Sequence, residues 1–332
     1  MKIAFFEIED WERGYLSDKF KKHDVEFFED ELSEKNAEDV EDFEIISVFV
    51  CSDVNRKIIN KLKNARAIVT RSTGYDHIDL KECRKRKILV INTPYYGQNT
   101  VAEHTFALIL ALSRKITESV EKTKDRDFSL EGLQGFDLKG KTLVIVGMGN
   151  IGSHVARIAK GFEMNVIAYN KHRHQKLAKK LGFKYVDFDN LLKNSDIITL
   201  HVPFSKETYH LINKKNVSKI KKGAYLINTS RGEVVDTGAL IKALNEKILA
   251  GAGLDVLEDE ELIKEEKELL SKKFSREKLF NVIENNILLN YKNVIITPHN
   301  AFNTKEALQR ILDTTVGNIN SVINKKPQNV VK

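Results

Sequence analysis

Short apolar runs recur along the first third of the chain with the length of buried strands. They occupy residues 3–8, 25–28, 45–50, 67–70 and 88–91. Polar segments that can form helices, such as residues 55–63, separate them. Strands that alternate with helices in this way are typical of parallel sheets. The pattern predicts a parallel sheet of about five strands here.

A second series of strands follows from residue 142 onward. Its apolar, β-branched runs are residues 142–146, 166–169, 197–202, 224–228, 253–256 and 294–297. The same alternation predicts a second, larger doubly wound sheet. The predicted fold class is α/β, with two doubly wound parallel-sheet domains.

Two helices are expected near the points where the chain passes between the domains. The pair Asn99-Thr100 can cap a very apolar helix at residues 101–112. The pair Asn303-Thr304, with a glutamate shortly after it, predicts the start of an amphipathic helix that ends near Ile323.

The expected domain boundaries follow from these helices. One domain is predicted at residues 1–99 and 300–332, and the other at residues 100–299. Residues 258–292 are rich in Glu and Lys and predict a surface excursion of one or two helices. Residues 106–112 are all apolar, which favours a homodimer through the domain at 100–299, although a helix buried in its own chain is the alternative.

Composition narrows the class of protein. The chain has 332 residues, a net charge of +7 and charges of both signs interleaved, so nucleic-acid binding is not expected. No apolar run approaches the length of a membrane span and no signal peptide is evident, so we expect a cytoplasmic protein without a membrane partner. The two cysteines, Cys51 and Cys83, indicate neither a disulfide framework nor a metal site.

A glycine-rich segment follows the strand at residues 142–146. Gly147, Gly149 and Gly152 stand in G-x-G-x-x-G spacing, with Asn150 and Ile151 between the last two. Such glycines permit a tight turn, close approach to a pyrophosphate and close packing of the next helix. The motif predicts a dinucleotide site, although glycine-rich turns also occur without a nucleotide.

The end of the following strand bears on the choice of cofactor. Dinucleotide sites with the G-x-G-x-x-G motif usually have an acidic residue at this position, which binds the adenosine ribose. This chain has Asn170 there. Lys171 and Arg173 follow and suit a ribose 2′-phosphate, while a solvated basic loop is the alternative. The cofactor is therefore expected to be NAD or NADP.

Polar residues stand just past several strands of the second series. They are His201, Arg231, the acidic run 258–261 and His299. Ligands bind outside the carboxyl ends of strands in such sheets. Arginine can hold a carboxylate, histidine can supply a proton, and an acid can orient that histidine, so together they suit carbonyl reduction. Taken singly, each could be a turn or surface residue.

The chain resembles the D-isomer-specific 2-hydroxyacid dehydrogenases, most of all their D-lactate dehydrogenase branch. The resemblance covers nearly the whole length and rests on RSTGYDHID at 71–79, NTVAEH at 99–104, GMGNIG at 147–152, HVP at 201–203, NTSRG at 228–232, GLDV at 253–256 and TPHNAF at 297–302.

The resemblance implies a role for individual residues. Arg231 matches the substrate-binding arginine, His299 the acid/base, and Glu260 the histidine's partner, with Glu258 a less favoured substitute. Thr73 and Gly74 match the loop that binds the substrate carboxylate. The remaining matches are aromatics near the substrate, Tyr96 and Phe302, and cofactor residues, His201, Pro203, Thr229 and Asp255.

The resemblance implies that a Rossmann cofactor domain at residues 100–299 is inserted in a discontinuous, flavodoxin-like substrate domain at residues 1–99 and 300–332. It also implies reversible hydride transfer between a nicotinamide and a small 2-keto acid, with pyruvate the first choice. Asn170 departs from the aspartate of NAD-using members and leaves the cofactor open. Phosphoglycerate or glyoxylate/hydroxypyruvate reduction is an alternative activity. A non-catalytic NAD(H)-sensing protein of the same fold is a third possibility, and substrate turnover distinguishes it.

Overall fold

The computed structural model describes residues 1–260 and 276–331. The chain divides into two compact units, Met1–Tyr96 with Thr304–Lys332, and Gly97–Asn303. The chain passes between them a few residues from the positions expected from the sequence.

The elements of the first unit begin with strands that alternate with short helices. In chain order they are β1 (Lys2–Phe5), α1 (Asp10–Lys19), β2 (Asp24–Phe27), β3 (Ile45–Val48), α2 (Arg56–Lys61), β4 (Ala67–Thr70), α3 (Leu80–Lys85) and β5 (Leu89–Ile91). The described strands form a five-stranded parallel sheet in the order β2-β1-β3-β4-β5. This order is flavodoxin-like, as the sequence predicted.

The second unit continues the alternation on a larger scale. Its helices are α4 (Gln98–Arg114), α5 (Ile116–Lys124), α6 (Asn150–Gly161), α7 (Gln175–Leu181), α8 (Phe188–Lys193), α9 (Thr237–Asn245) and α10 (Arg276–Leu289). Its strands are β6 (Thr142–Val146), β7 (Asn165–Tyr169), β8 (Lys184–Tyr185), β9 (Ile197–Leu200), β10 (Ala224–Asn228), β11 (Leu249–Leu254) and β12 (Val294–Ile296).

Within the described residues these strands form a seven-stranded parallel sheet, β12-β11-β10-β9-β6-β7-β8. The order reverses between β6 and β9, which is the position where ligands bind in doubly wound sheets. The predicted class, two parallel α/β domains with the Rossmann unit inserted in the other, is confirmed. The last helix, α11 (Lys305–Ile323), returns to the first unit.

Several predicted boundaries were wrong. Strand β8 has only two residues and was missed. Strand β11 begins at Leu249 rather than at residue 253. Glycines are unfavourable in most strands, but Gly253 is needed here for close packing, because a Cβ on it would press on Leu108 of α4.

Helix starts were also misplaced. Helix α4 begins at Gln98 with Gly97 as its N-cap, so Asn99 and Thr100 lie inside the helix rather than capping it. Helix α11 is capped by Thr304, whose hydroxyl accepts from the backbone N–H of Ala307. Where two neighbouring residues are both suited to the N-cap position, the sequence leaves the start of the helix uncertain by at least one residue.

The apolar stretch at 106–112 is largely covered by its own chain. Phe106, Leu108, Ile109 and Leu112 are all less than 5% exposed, and the Phe106 ring stacks on Phe162 with centroids 5.3 Å apart. This stretch therefore does not itself require a second subunit. Residues 261–275, part of the predicted surface excursion, lie outside the described residues. No helix of the described residues is long and apolar enough to cross a membrane.

Candidate active site

The glycine-rich turn between β6 and α6 is shaped by steric contact. Gly147 has φ of +97°, and a Cβ there would collide with the carbonyl oxygen of His201. A Cβ at Gly152 would collide with the carbonyl oxygen of Gly147. At Gly149 no atom lies within 4 Å of a Cβ position, so the N-terminus of α6 is open to an approaching group. The turn has the form of an anion-binding helix N-terminus.

Arg231 follows β10 on a turn that is fixed by its neighbours. The Asn228 side chain accepts from the backbone N–H of Ser230 at 3.1 Å and donates to the Arg231 carbonyl at 2.8 Å. A Cβ at Gly232 would collide with the backbone of Leu257, so this turn packs directly against the segment that leads to the acidic run. Arg231 is half-buried there.

The acidic run sends its three described carboxylates to three different partners. Glu258 contacts His210 Nε2 at 2.6 Å, and Asp259 accepts from Asn281 Nδ2 of α10 at 2.8 Å. Glu260 Oε1 lies 2.5 Å from His299 Nδ1. Asp259 has φ of +52°, a left-handed turn that lets the side chains on either side of it diverge. Glu261 lies outside the described residues.

The turn that carries His299 is held by a buried aspartate. Asp255 is 1% exposed and accepts from the hydroxyl of Thr297 at 2.6 Å and from the backbone N–H groups of Asn300 and Ala301 at 3.0 and 2.9 Å. His104 Nε2 of α4 lies 3.0 Å from the Thr297 hydroxyl. Asp255 was predicted to contact the cofactor, but its hydrogen bonds here hold the backbone around His299.

The chain is similar to known proteins along nearly its whole length. A sequence model of the D-isomer specific 2-hydroxyacid dehydrogenase, NAD binding domain, matches residues 106–301. The D-lactate dehydrogenase of Escherichia coli is 34% identical over 97% of this chain and 97% of its own. The glyoxylate reductase of Thermococcus litoralis is 39% identical over 85% of this chain and 81% of its own. The D-lactate dehydrogenase of Aquifex aeolicus, solved with NAD and lactic acid, has a TM-score of 0.88 and 37% identity over 98% of this chain and 96% of that chain.

The chain belongs to the D-isomer-specific 2-hydroxyacid dehydrogenase family. The predicted family and reaction class are confirmed: this 2-hydroxyacid dehydrogenase is an oxidoreductase with an NAD-binding domain. That domain falls inside the second unit, which carries the glycine-rich turn, Arg231, Glu260 and His299.

A buried ring nitrogen at the same turn tests whether NAD fits this 2-hydroxyacid dehydrogenase. His201 Nε2 contacts the Thr199 hydroxyl at 2.9 Å, but its shielded Nδ1 has no hydrogen-bond partner among the described residues. Burial lowers the pKa of His201 to about 3, so the ring is neutral. A buried polar atom without a partner beside a glycine cradle fits a bound ligand that would hydrogen-bond to it.

The loop after β7 differs from the sequence expectation. Asn170 Oδ1 accepts from the backbone N–H of Met148 at 3.1 Å, so this side chain supports the glycine-rich turn. Lys171, expected to meet a phosphate, pairs with Glu207 through contacts of 2.7 and 2.8 Å. Arg173 is exposed, and its Nη2 lies 3.5 Å from the carbonyl oxygen of Val186. Lys171 is thus already neutralised by a carboxylate that sequence reasoning missed.

Three predicted substrate residues lie in the first unit. Thr73 and Gly74 form a turn after β4, in which the Ser72 hydroxyl donates to the Gly74 carbonyl at 2.6 Å and the Thr73 hydroxyl to the Thr93 carbonyl at 3.1 Å. Arg310 Nε of α11 donates to the Tyr96 carbonyl at 2.7 Å. These contacts hold the backbone of both segments in place.

The remaining candidates lie in the second unit. Phe302 is half-buried at the end of the His299 turn. Pro203 is exposed, and its carbonyl accepts from the Thr208 hydroxyl at 2.7 Å. Thr229 is buried, with its hydroxyl 3.1 Å from that of Thr105 on α4. Asn150 and Ile151 form the first turn of α6, where a dinucleotide fingerprint places them.

Sequence reasoning overlooked Glu207, His210 and His104. Each lies in a loop or helix far along the chain from its partner, and only the order of the strands brings the pair together. The H-V-P segment at 201–203 was a signal for the first two, because the loop that carries them follows directly.

Proposed function

We propose that this enzyme interconverts pyruvate and D-lactate with NAD(H) or NADP(H). The observation that carries the proposal is the 2.5 Å contact between Glu260 and His299, at the same sheet edge as the glycine-rich turn and Arg231. Similarity to D-lactate dehydrogenases along the whole chain supports this choice of substrate.

His299 is proposed as the acid/base. Glu260 engages Nδ1, so Nε2 is the nitrogen that exchanges a proton with the substrate oxygen. A carboxylate at this distance fixes the orientation of the ring. His299 protonates the carbonyl oxygen of the keto acid during reduction, and it accepts that proton in the reverse direction.

Arg231 is proposed to bind the substrate carboxylate. Guanidinium groups suit this task because their donors match the two oxygens of a carboxylate. Its positive charge also stabilises negative charge that develops on the adjacent carbonyl oxygen. Thr73 and Gly74 are proposed as substrate-binding residues that act through their backbone N–H groups, and Tyr96 and Phe302 as residues that contact the substrate.

Gly147, Gly149, Asn150, Ile151 and Gly152 are proposed to hold the pyrophosphate of the dinucleotide. The bound nicotinamide supplies the hydride for reduction or accepts it during oxidation. His201, Pro203 and Thr229 are proposed to line the same edge, with Asn170, Lys171 and Arg173 at the adenosine end. The resemblance implies that Asp255 contacts the cofactor. Its hydrogen bonds to the His299 turn instead support a role in positioning that turn.

Glyoxylate reduction is the second candidate activity, favoured by the 39% identity to the Thermococcus glyoxylate reductase. The test is turnover of pyruvate, glyoxylate and hydroxypyruvate with NADH and NADPH, followed by chiral analysis of the product. The highest kcat/KM for pyruvate, with D-lactate as the product, supports the proposal. A preference for glyoxylate supports the second candidate, and dinucleotide binding without any turnover supports an NAD(H) sensor.

A homodimer is also proposed, on different residues from those that first motivated it. Helix α5 exposes Ile116 and Val120 on one face, at 50% and 47%, and the segment after it exposes Phe128 and Leu130 at 78% and 83%. Lys122 of α5 donates to the Glu131 carbonyl, which holds this segment close to the helix. Exposed apolar groups of this size are typical of protein interfaces, and a second copy of the chain is the proposed partner.

Analytical ultracentrifugation tests the dimer. The wild type is expected to sediment as a dimer, and the double variant Phe128→Asp, Leu130→Asp as a monomer with an unchanged circular dichroism spectrum. A monomeric wild type at micromolar concentration would remove this proposal. The cytoplasmic location expected from the sequence stays a prediction.

A further inference from the structure

The loops after β7 and β9 lie on either side of the glycine-rich turn. The sheet order β9-β6-β7 places β6, and therefore Gly147, between them. Lys171 belongs to the first loop and Glu207 to the second. Lys171 Nζ lies 2.8 Å from Oε1 and 2.7 Å from Oε2 of Glu207, so one ion pair spans the carboxyl end of β6. This is the edge where a doubly wound sheet binds its dinucleotide.

The chain has no acid at the position that normally reads the adenosine ribose. Asn170 stands there, and its amide is engaged with the backbone at both ends: Oδ1 accepts from Met148, and Nδ2 donates to the carbonyl of His172 at 2.5 Å. Glu207 nevertheless brings a carboxylate to the same edge from the neighbouring loop. The hydrogen bond from Lys171 lowers the pKa of Glu207, so this carboxylate is ionised at neutral pH.

We infer that Glu207 is the specificity-determining residue for the adenosine ribose, in place of the acid missing at position 170. Its carboxylate accepts hydrogen bonds from the ribose hydroxyls of NAD(H) and repels the 2′-phosphate of NADP(H), while Lys171 is its counter-charge. The inference rests on the proposed dinucleotide function. It also decides between NAD and NADP, which Asn170, Lys171 and Arg173 left open in the sequence.

The expected preference for NAD(H) has an electrostatic reason. NADP(H) would place a second anion, its 2′-phosphate, beside the Glu207 carboxylate, whereas NAD(H) would not. A 2′-phosphate placed at this edge competes with Glu207 for Lys171 and lies beside an uncompensated carboxylate. A ribose diol instead donates to the carboxylate and leaves the ion pair intact. The ion pair itself is exposed, with side chains 67% and 69% accessible, so it contributes little to folding and can be altered without unfolding the domain.

The test is equilibrium binding of NADH and NADPH to the full chain in the absence of substrate. The change in nicotinamide fluorescence measures the binding. The wild type is expected to bind NADH more tightly. Glu207→Gln is expected to tighten NADPH about tenfold and weaken NADH severalfold. Adding Lys171→Met to Glu207→Gln is expected to cancel the gain for NADPH, because the freed ammonium is then absent.

A matched control removes a similar carboxylate elsewhere in the same unit. Asp189 of α8 pairs with Lys219 at 2.7 Å, with side chains 56% and 41% exposed. Asp189→Asn makes the same change in net charge and is expected to leave the ratio of the two dissociation constants unchanged.

Provided that the wild type binds NADH, two results would overturn this inference but not the proposed function. One is an unchanged ratio of the NADH and NADPH dissociation constants in Glu207→Gln, and the other is the same change of that ratio in Asp189→Asn. A wild type that binds neither dinucleotide would overturn the inference together with the proposed function. The two failures are therefore distinguishable in one set of titrations.

Discussion

Two histidine–carboxylate pairs arise from one acidic turn, only two residues apart, and their surroundings differ. His299 and Glu260 are 2.5 Å apart with side chains 29% and 23% exposed. His210 and Glu258 are 2.6 Å apart, but the Glu258 side chain is only 5% exposed. The contact distances alone do not distinguish a catalytic pair from a structural one.

The buried pair, His210 and Glu258, makes further contacts with several parts of the second unit. Glu258 also accepts from the hydroxyl of Thr237 at 3.0 Å, and its carbonyl accepts from Asn285 of α10 at 2.7 Å. The His210 ring stacks on Tyr209, with centroids 3.9 Å apart. The pair therefore joins the loop after β9 to the start of α9 and to α10.

The other pair is more open, and Asp255 also fixes the backbone that carries its histidine. Asp255 holds the turn of His299, whose φ is +53°. The ring is thus held at the carboxyl end of β12, beside the edge where the dinucleotide turn and Arg231 lie. Position at the strand ends and the partial exposure of Glu260 favour His299 and Glu260 as the proposed catalytic pair, whereas the burial of Glu258 and its several partners favour a structural role for the other pair.

The largest expected effect separates the two histidines by catalysis. His299→Asn should lower kcat for pyruvate by about 10²–10⁴-fold, because it removes the proton donor, with little change in NADH binding. His210→Asn should keep kcat within a few-fold of wild type at temperatures where the protein is folded. Steady-state kinetics with saturating pyruvate measure both. Wild-type turnover in His299→Asn would remove this residue from the mechanism.

The next effect separates the two glutamates by stability. Glu258→Gln should lower the free energy of unfolding by about 1.5–3 kcal/mol, because it weakens charge-assisted hydrogen bonds in a buried site. Glu260→Gln should lower it by less than about half as much, since that side chain is partly hydrated. Urea denaturation of both variants provides the measurement. Equal losses would contradict the structural assignment of the buried pair.

The smallest effect separates the two glutamates by catalysis. Glu260→Gln should lower kcat for pyruvate by about tenfold, because the amide holds the His299 ring less firmly than the carboxylate does. Glu258→Gln should leave kcat within a few-fold of wild type at temperatures where the protein is folded. Steady-state kinetics of both variants provide the measurement. Equal losses of kcat in the two variants would show that Glu260 is not the partner that matters.

Much of this fold was predictable from the sequence. Apolar runs such as residues 45–48 and 142–146 are strands that are buried on both faces, so their pattern is continuous and easy to recognise. Strand β11 was harder, because its Gly253 is required by α4, which packs on it from a distant part of the chain. Strand β8 carries too few residues for any pattern.

The candidate site divides in the same way. Gly147, Arg231 and His299 were predictable because a glycine spacing or a polar residue directly after a strand is a local signal. The bridging of Lys171 by Glu207 was not, since the two residues are 36 positions apart and meet only across β6. The role of Asp255 likewise depends on a turn that is 45 residues away along the chain.

The sequence by itself determined the strands, the glycine turn and the set of reactive side chains, because each depends on neighbours along the chain. The resemblance had paired Glu260 with His299, but the tertiary structure alone decided that Glu258 meets His210. Glu258 and Glu260 are chemically identical and nearly adjacent, and a left-handed Asp259 sends one toward the loop after β9 and the other toward the turn after β12. Strand order and backbone direction, which no local pattern encodes, made that assignment.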